Sequence, residues 1–235
     1  VARSNLPGAS HADAAQGRAS PDGVESFTFL APPDAAVADD VKDDRDNALA
    51  ALRTAARAYW VHVARVLDAL NAIMADAFGV ERDEIAGRFA QTSDAATTQG
   101  QTALRFANYP ELYAARDGAV LPYGLHTDYL TFTILRATQP GLQLLDADHK
   151  FVDVLPTNES LVVNAADLTE LWTNGVWRSA PHRVVPFKQP PEESSPDDND
   201  DDVLSAPRSA VVFFSGPRRD ALITPITSVA ETTNA

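Results

Sequence analysis

The chain has 235 residues, no cysteine and a formal net charge of −14, with 33 acidic residues against 19 basic ones. This length suits one domain with a well-buried core. The acidic balance argues against nucleic acid and anionic membrane surfaces as partners. The lack of cysteine excludes disulfides, thiolate metal sites and cysteine nucleophiles, and we expect a cytoplasmic protein.

The first part of the chain predicts an irregular segment followed by helices. Residues 1–40 read as loop or extended structure because they are rich in Ala, Ser, Gly and Pro and lack periodicity. Residues 41–90 read as helical, with Asp46 or Asn47 as the cap of a long first helix and Gly79 at its end. A second, shorter helix is predicted over 81–90.

An apolar stripe defines the long helix. Its members recur at alternating spacings of three and four residues, the pattern of a helix with one buried face. They are Leu49, Leu52, Ala56, Tyr59, Val63, Val66, Leu70, Ile73 and Ala77. His62 lies off this stripe, and we interpret it as a surface or packing residue.

The second part of the chain, 103–226, predicts an antiparallel β-sandwich or jelly roll. Short runs rich in β-branched and aromatic residues alternate with turn signals, and DADHK at 146–150 resembles a hairpin turn. An acidic run, EESSPDDNDDD, predicts a solvated loop insertion at 188–205. We therefore expect a mainly β single domain over 1–235, with the long helix packed on the sandwich.

Two His-x-Asp pairs occur, and only one lies in the strand half. On a strand, residues i and i+2 point to the same face, so His126 and Asp128 in GLHTD could reach one ion. His11 and Asp13 have the same spacing, but they lie in the irregular first segment, where nothing predicts a fixed geometry. We interpret this first pair as incidental.

A third candidate ligand, His182 in SAPHRVVPF, follows Asp128 by 54 residues. Two histidines and one carboxylate form the facial triad of non-haem Fe(II) oxygenases, which leaves coordination positions open for a co-substrate and O2. Ligand types alone do not determine the metal, so a cupin-like isomerase or hydrolase that uses Zn or Mn is an alternative.

Arg208 begins the predicted strand of SAVVFFSG and shares one face with positions 210, 212 and 214. An arginine that points into a sheet interior needs an anionic partner, because a buried unpaired charge is costly. That partner could be a ligand carboxylate or a protein carboxylate. Arg105 shares a strand face with Tyr109, and Phe214 shares one with Arg208, so both are candidate substrate contacts. The alternative is that their side chains simply fill the interior of the β-structure.

Four segments carry a family resemblance, in the order YGLHTDYLTFTIL, GLQLLDADHKFVDV, SLVVNAADLTELWTNGVWRSAPHRVV and RSAVVFFSGPRRDALITPI. Together they resemble the core of the isopenicillin-N-synthase-like Fe(II)/2-oxoglutarate-dependent dioxygenases over roughly 103–226. The resemblance implies a double-stranded β-helix with Fe(II) bound by His126, Asp128 and His182. It implies that Arg208 binds the distal carboxylate of 2-oxoglutarate, assisted by Tyr109.

The implied activity is hydroxylation or desaturation of a small organic substrate by O2, with release of succinate and CO2. No protein partner is inferred. Three departures from the family pattern matter. Arg208-Ser209-Ala210 replaces the usual Arg-x-Ser, 26 residues separate His182 from Arg208, and we expect part of the family's N-terminal region to be lacking. A non-catalytic relative that serves as a binding module is therefore a second alternative.

Overall fold

The computed structural model describes part of the chain. The described ranges are 24–30, 44–89, 101–109, 123–157, 159–186 and 207–226. Within them, the elements are β1 (Glu25–Phe29), α1 (Asp44–Phe78), α2 (Arg82–Ala86), β2 (Ala103–Tyr109), β3 (Tyr123–His126), β4 (Phe132–Ala137), β5 (Leu142–Leu145), β6 (Phe151–Val154), β7 (Val162–Ala165), α3 (Asp167–Trp172), β8 (His182–Val184) and β9 (Arg208–Ser215). The predicted acidic loop and the first His-x-Asp pair lie outside these ranges, and the single domain over 1–235 stays a prediction.

The strands form two antiparallel sheets, as the strand pattern predicted. One has five strands in the order β1-β2-β9-β4-β7, and the other has four in the order β3-β8-β5-β6. Residues of both sheets meet in one interior cluster, in which Ala107, Tyr109 and Ala210 of the large sheet pack with Val184 of the small one. The space between the two sheets is therefore the interior of the β-structure.

The outer face of the large sheet packs against α1. Phe213 of β9 is fully buried there, and its ring meets the ring of Trp60 edge to face at a centroid distance of 5.1 Å. Leu104 of β2 and Ile134 of β4 complete this apolar layer, and both are fully buried. The burial of these side chains holds the long helix on the sheet.

The buried face of α1 is rotated from the predicted stripe. It comprises Ala56, Trp60, Val63, Ala64, Leu67, Met74 and Ala75. Ala56 and Val63 were predicted correctly, and Leu52, Tyr59, Val66 and Leu70 of the stripe also pack against the core. Ile73 is 56% exposed, and Ala77 is also exposed. The predicted stripe has a period of 3.5 residues, and a straight helix drifts from that period by about 20° per heptad. Over four heptads the drift carries the last stripe positions away from the sheet.

The helix boundaries confirm one predicted signal and correct another. Gly79 ends α1 in the left-handed region with φ +64°. The N–H of Gly79 donates to Asp76 O and that of Val80 donates to Ala75 O, the paired bonds of a Schellman motif. The helix begins at Asp44, so Asp46 and Asn47 lie inside its first turn and do not cap it.

Two further expectations changed in detail. The predicted helix over 81–90 is a single short turn of helix, Arg82–Ala86. Helix α3 was not predicted, because its apolar residues continue the pattern of the preceding strand. The hairpin turn at 146–150 is confirmed, with Asp146 Oδ1 accepting hydrogen bonds from the N–H groups of Asp148 and Lys150.

No described helix, the 35-residue α1 included, has the run of apolar residues needed to cross a membrane.

The helix–sheet layer can be tested with Phe213→Ala. We expect a loss of about 3–5 kcal/mol in the free energy of unfolding, because the substitution leaves a cavity against Trp60 in a fully buried layer. Phe27→Ala removes the same atoms from a side chain that is 44% exposed and should cost much less. Urea denaturation of both variants measures the difference, and equal losses would contradict the assigned layer.

Candidate metal and co-substrate site

His126, Asp128 and His182 come together at one end of the interior. Their ligating atoms all lie within 4.8 Å of one another. His126 is the last residue of β3 and His182 the first of β8, and the two are cross-strand partners with ring centroids 4.3 Å apart. Asp128 is buried between them, with 8% of its surface exposed.

The strand argument for the His-x-Asp pair was wrong in its premise. Strand β3 ends at His126, and Asp128 lies in the loop that follows. Backbone hydrogen bonds hold this loop against the start of α3: the N–H of Asp167 donates to Asp128 O at 2.9 Å, and that of Leu168 to Leu130 O at 3.0 Å. Asp128 is therefore placed beside the histidines by a loop that backbone hydrogen bonds hold in position, and not by the alternation of side chains along a strand.

Backbone carbonyls orient both imidazoles. His126 Nδ1 lies 2.8 Å from Gly124 O, and His182 Nδ1 lies 3.0 Å from Ala180 O. A carbonyl oxygen only accepts, so each Nδ1 donates to it and each Nε2 is left to face Asp128. Both Nε2 atoms lie 3.8 Å from an Asp128 oxygen, too far for a hydrogen bond. The three donor atoms thus surround a common point, as ligands of one metal would.

The large sheet holds the carboxylate. Thr133 Oγ1 donates to Asp128 Oδ2 at 2.7 Å, and Asn164 Nδ2 donates to the same oxygen at 3.0 Å. Thr133 and Asn164 are cross-strand partners on β4 and β7. The histidines belong to the small sheet, so the cluster joins the two sheets.

Arg208 lies deep in the interior on β9, with 5% of its surface exposed. Its partner across the strands is Tyr109, whose ring centroid lies 4.9 Å from the guanidinium carbon. Arg208 Nε also donates to Gln139 O at 3.2 Å. Its Nη1 is buried without a hydrogen-bond partner, and no described carboxylate forms an ion pair with it.

Burial acts on both members of this pair. It raises the pKa of the Tyr109 phenol and lowers the pKa of Arg208, and in each case the other residue opposes the shift. A buried guanidinium with one unused N–H donor is a binding position for an anion. The sequence left open whether a ligand carboxylate or a protein carboxylate pairs with Arg208, and among the described residues no protein carboxylate does so.

Comparison with known proteins agrees with this donor set. The model of the 2OG-Fe(II) oxygenase superfamily matches residues 101–217, the segment that contains all three cluster residues and Arg208. The chain belongs to this superfamily. The family resemblance seen in the sequence is therefore confirmed.

Two curated relatives and one solved structure illustrate the match. Clavatol oxidase claD of Penicillium crustosum is 31% identical over 142 residues, 59% of this chain and 37% of its own length. Gibberellin 2-beta-dioxygenase 3 of Arabidopsis thaliana is 28% identical over 129 residues, 54% of this chain and 34% of its own length. A full-length Neurospora crassa protein, solved as a crystal structure in complex with alpha-KG, has a TM-score of 0.71 at 22% identity and covers 90% of this chain.

The likeness to the Neurospora protein shows the fold, so the two sheets form the predicted double-stranded β-helix with a long helix packed on it. The chain spans 60% of the Neurospora protein and a smaller share of the two curated relatives. The likeness therefore covers the core of these proteins, and we give the activity and substrate of the whole protein as proposals.

The superfamily's usual serine position is occupied by Ala210. This alanine is 3% exposed and lies in the interior between Ala107 and Ala137 of the neighbouring strands. Ser209 is exposed on the opposite face, as predicted, and its N–H donates to Thr138 Oγ1. The side chain that contacts the Arg208 guanidinium from the neighbouring strand is Tyr109, through its ring.

Four residues of the site were not predicted. Thr133 and Asn164 hold Asp128, Gln139 accepts from Arg208, and the ring of Tyr123 meets His126 edge to face at 4.6 Å. Asn164 could have been noticed in the sequence, because it is a polar residue inside the apolar run LVVNA. The exposed His62 stays outside the site, as expected.

The hydrogen bond from Thr133 can be tested with Thr133→Val. The change keeps the shape of the side chain but removes the donor to Asp128 Oδ2, and we expect metal affinity to fall roughly 10–100-fold. Thr138→Val makes the same change at an exposed threonine and should leave metal affinity unaltered. Anaerobic equilibrium dialysis with Fe(II) measures both, and equal affinities for the two variants would show that Thr133 does not position the ligand.

Proposed function

We propose that the chain is the core of an Fe(II)- and 2-oxoglutarate-dependent oxygenase that hydroxylates or desaturates a small organic substrate. The observation that carries this proposal is the pairing of a two-histidine, one-carboxylate cluster with a buried arginine whose Nη1 lacks a partner. A metal satisfies the first group and an anionic co-substrate satisfies the second. Superfamily membership supports the same pair of ligands.

In this proposal, His126, Asp128 and His182 hold Fe(II). The hydrogen bonds to Gly124 O and Ala180 O hold the imidazoles with Nε2 towards the metal. Those from Thr133 and Asn164 hold the carboxylate. When bound, Fe(II) and 2-oxoglutarate supply the oxidation: O2 is consumed, 2-oxoglutarate becomes succinate and CO2, and a substrate C–H bond is oxidised.

Arg208 and Tyr109 form the other half of the proposed site. Arg208 binds the distal carboxylate of 2-oxoglutarate through the fork that includes Nη1, while Tyr109 keeps the guanidinium in place. Tyr123 contacts His126 and packs in the same interior cluster as Tyr109, so aromatic side chains line the interior between the two halves. Their apolar surface limits the access of water to the bound co-substrate.

The proposed setting is the cytoplasm, and the proposed partner is a small molecule alone. The net charge of −14 disfavours binding to nucleic acid or to anionic membranes.

The metal proposal is tested by anaerobic titration with Fe(II) and 2-oxoglutarate. We expect a visible charge-transfer band that requires both ligands and is lost in His126→Ala, because that variant removes one of three metal ligands. His62→Ala changes an exposed histidine of α1 and should keep the band, as should His11→Ala. Metal binding without any response to 2-oxoglutarate would favour another metalloenzyme class, and no metal binding would favour a non-catalytic module.

The co-substrate proposal is tested at Tyr109 and Ala210. Tyr109→Phe keeps the ring beside Arg208 and removes the hydroxyl that we propose assists 2-oxoglutarate, so we expect a roughly 10-fold higher Kd for 2-oxoglutarate, about the free energy of one hydrogen bond to a charged group. Ala210→Ser alone should change the Kd less than threefold, since Tyr109 already supplies this contact.

The double variant gives the sharper test. In the Tyr109→Phe background, Ala210→Ser should recover part of the lost affinity, because both positions lie beside Arg208 and each would offer a hydroxyl to the same co-substrate. Strictly additive effects in this double-mutant cycle would contradict a shared role. Arg208→Gln serves as the reference for complete loss of the anchor.

A further inference from the structure

A second arginine lies on the inner face of the large sheet. Arg105 of β2 shares that face with Ala107 and Tyr109, because the three alternate with the outward Leu104 and Phe106. Its guanidinium carbon lies 5.2 Å from the centroid of the Phe214 ring. Phe214 is an inner residue of the neighbouring strand β9.

This pair lies directly beside the metal cluster. Phe214 is the cross-strand partner of Thr133, the residue that donates to Asp128. Directly paired residues on one sheet face have their Cβ atoms about 5 Å apart. The contacts thus run without interruption from Arg105 through Phe214 and Thr133 to Asp128.

Arg105 also lies within electrostatic reach of the co-substrate half. Burial is the main influence that raises the pKa of Tyr109, and the charges of Arg208 and, more weakly, Arg105 oppose it. The interior therefore carries two guanidinium groups, both near Tyr109. The distal carboxylate of 2-oxoglutarate neutralises one of them in the proposed function.

The charge of Arg105 has no protein counterpart in the described part of the chain. Its Nε is buried and lacks a hydrogen-bond partner, and none of the ion pairs there involves it. The ring of Phe214 stabilises the cation through its face but cannot accept the N–H in the guanidinium plane. A planar anion would both neutralise the charge of Arg105 and accept its unused N–H. Apolar side chains do neither, and a neutral ligand does not neutralise the charge.

We propose that Arg105 and Phe214 recognise the organic substrate, and that this substrate is a carboxylate joined to a flat apolar body. Arg105 binds the carboxylate, and the apolar body lies against Phe214 on the side of Thr133 and the metal cluster. This assignment rests on the proposed oxygenase function and adds the chemical class of the substrate. It separates the two arginines by role, with Arg208 for the co-substrate and Arg105 for the substrate.

The test uses matched pairs of ligands with protein loaded anaerobically with Fe(II), with and without 2-oxoglutarate. The probes are phenylacetate, 3-phenylpropanoate, naphthalene-2-acetate and decanoate, each beside its methyl ester, and the Kd is measured by calorimetry. We expect at least one aromatic acid to bind roughly 10-fold or more tightly than its ester, as loss of a charged hydrogen-bond partner predicts. Arg105→Gln should abolish that preference and leave the Kd for 2-oxoglutarate within threefold of its original value.

Two further variants separate the roles within the pair. Phe214→Leu should weaken the acid and its ester by the same factor, since it alters the surface for the apolar body and not the charge. Arg136→Gln removes an equal charge from an exposed position of β4 and should change none of these affinities. Circular dichroism of each variant checks that the sheets are intact.

The outcomes distinguish this inference from the proposed function. If 2-oxoglutarate binds but no acid is preferred to its ester, or Arg105→Gln keeps the preference, the substrate assignment is wrong and the oxygenase proposal stands. Loss of 2-oxoglutarate binding in Arg105→Gln would also overturn it, since Arg105 would then serve the co-substrate. If 2-oxoglutarate fails to bind the unchanged protein, the oxygenase proposal fails, while the acid-to-ester ratio still reports on Arg105.

Discussion

The packing of Phe213 on β9 against Trp60 of α1 fixes which side chains of this strand point into the interior. Strand β9 lies at the centre of the five-stranded sheet, with an apolar layer on its outer face and the proposed binding site on its inner face. Phe213 on the outer face packs into the apolar layer beneath α1, while Arg208 and Phe214 on the inner face point into the interior. Because side chains alternate with a period of two, a shift of one residue would turn Arg208 out of the interior and Phe213 away from α1. Helix docking thereby fixes the register that the site needs.

The metal cluster depends on both sheets in a different way. The small sheet supplies the histidines as a cross-strand pair, and the large sheet supplies the hydrogen bonds that orient Asp128. Neither sheet alone places all three donor atoms. Separation of the sheets would dismantle the cluster before it disturbed either sheet, so the geometry of the site and the packing of the interior are stabilised together.

Much of the site could be predicted because its residue types are rare and specific in their chemistry. Two histidines and an aspartate in a β-rich region indicated a metal, and an arginine on an inner face indicated an anion. The supporting residues could not be predicted in the same way. Thr133 and Asn164 are common polar residues, and only the pairing of β4 with β7 brings them to one carboxylate oxygen.

Local sequence patterns were enough to predict most strands, the end of α1 at Gly79, and the three side chains that could hold a metal. These depend on local backbone preference and on functional groups, which neighbouring residues reveal. Only the tertiary contacts show which face of α1 is buried, how the loop carries Asp128 to the histidines, and that Thr133 and Asn164 hold this carboxylate. These depend on contacts between residues far apart in the chain, which no local pattern encodes.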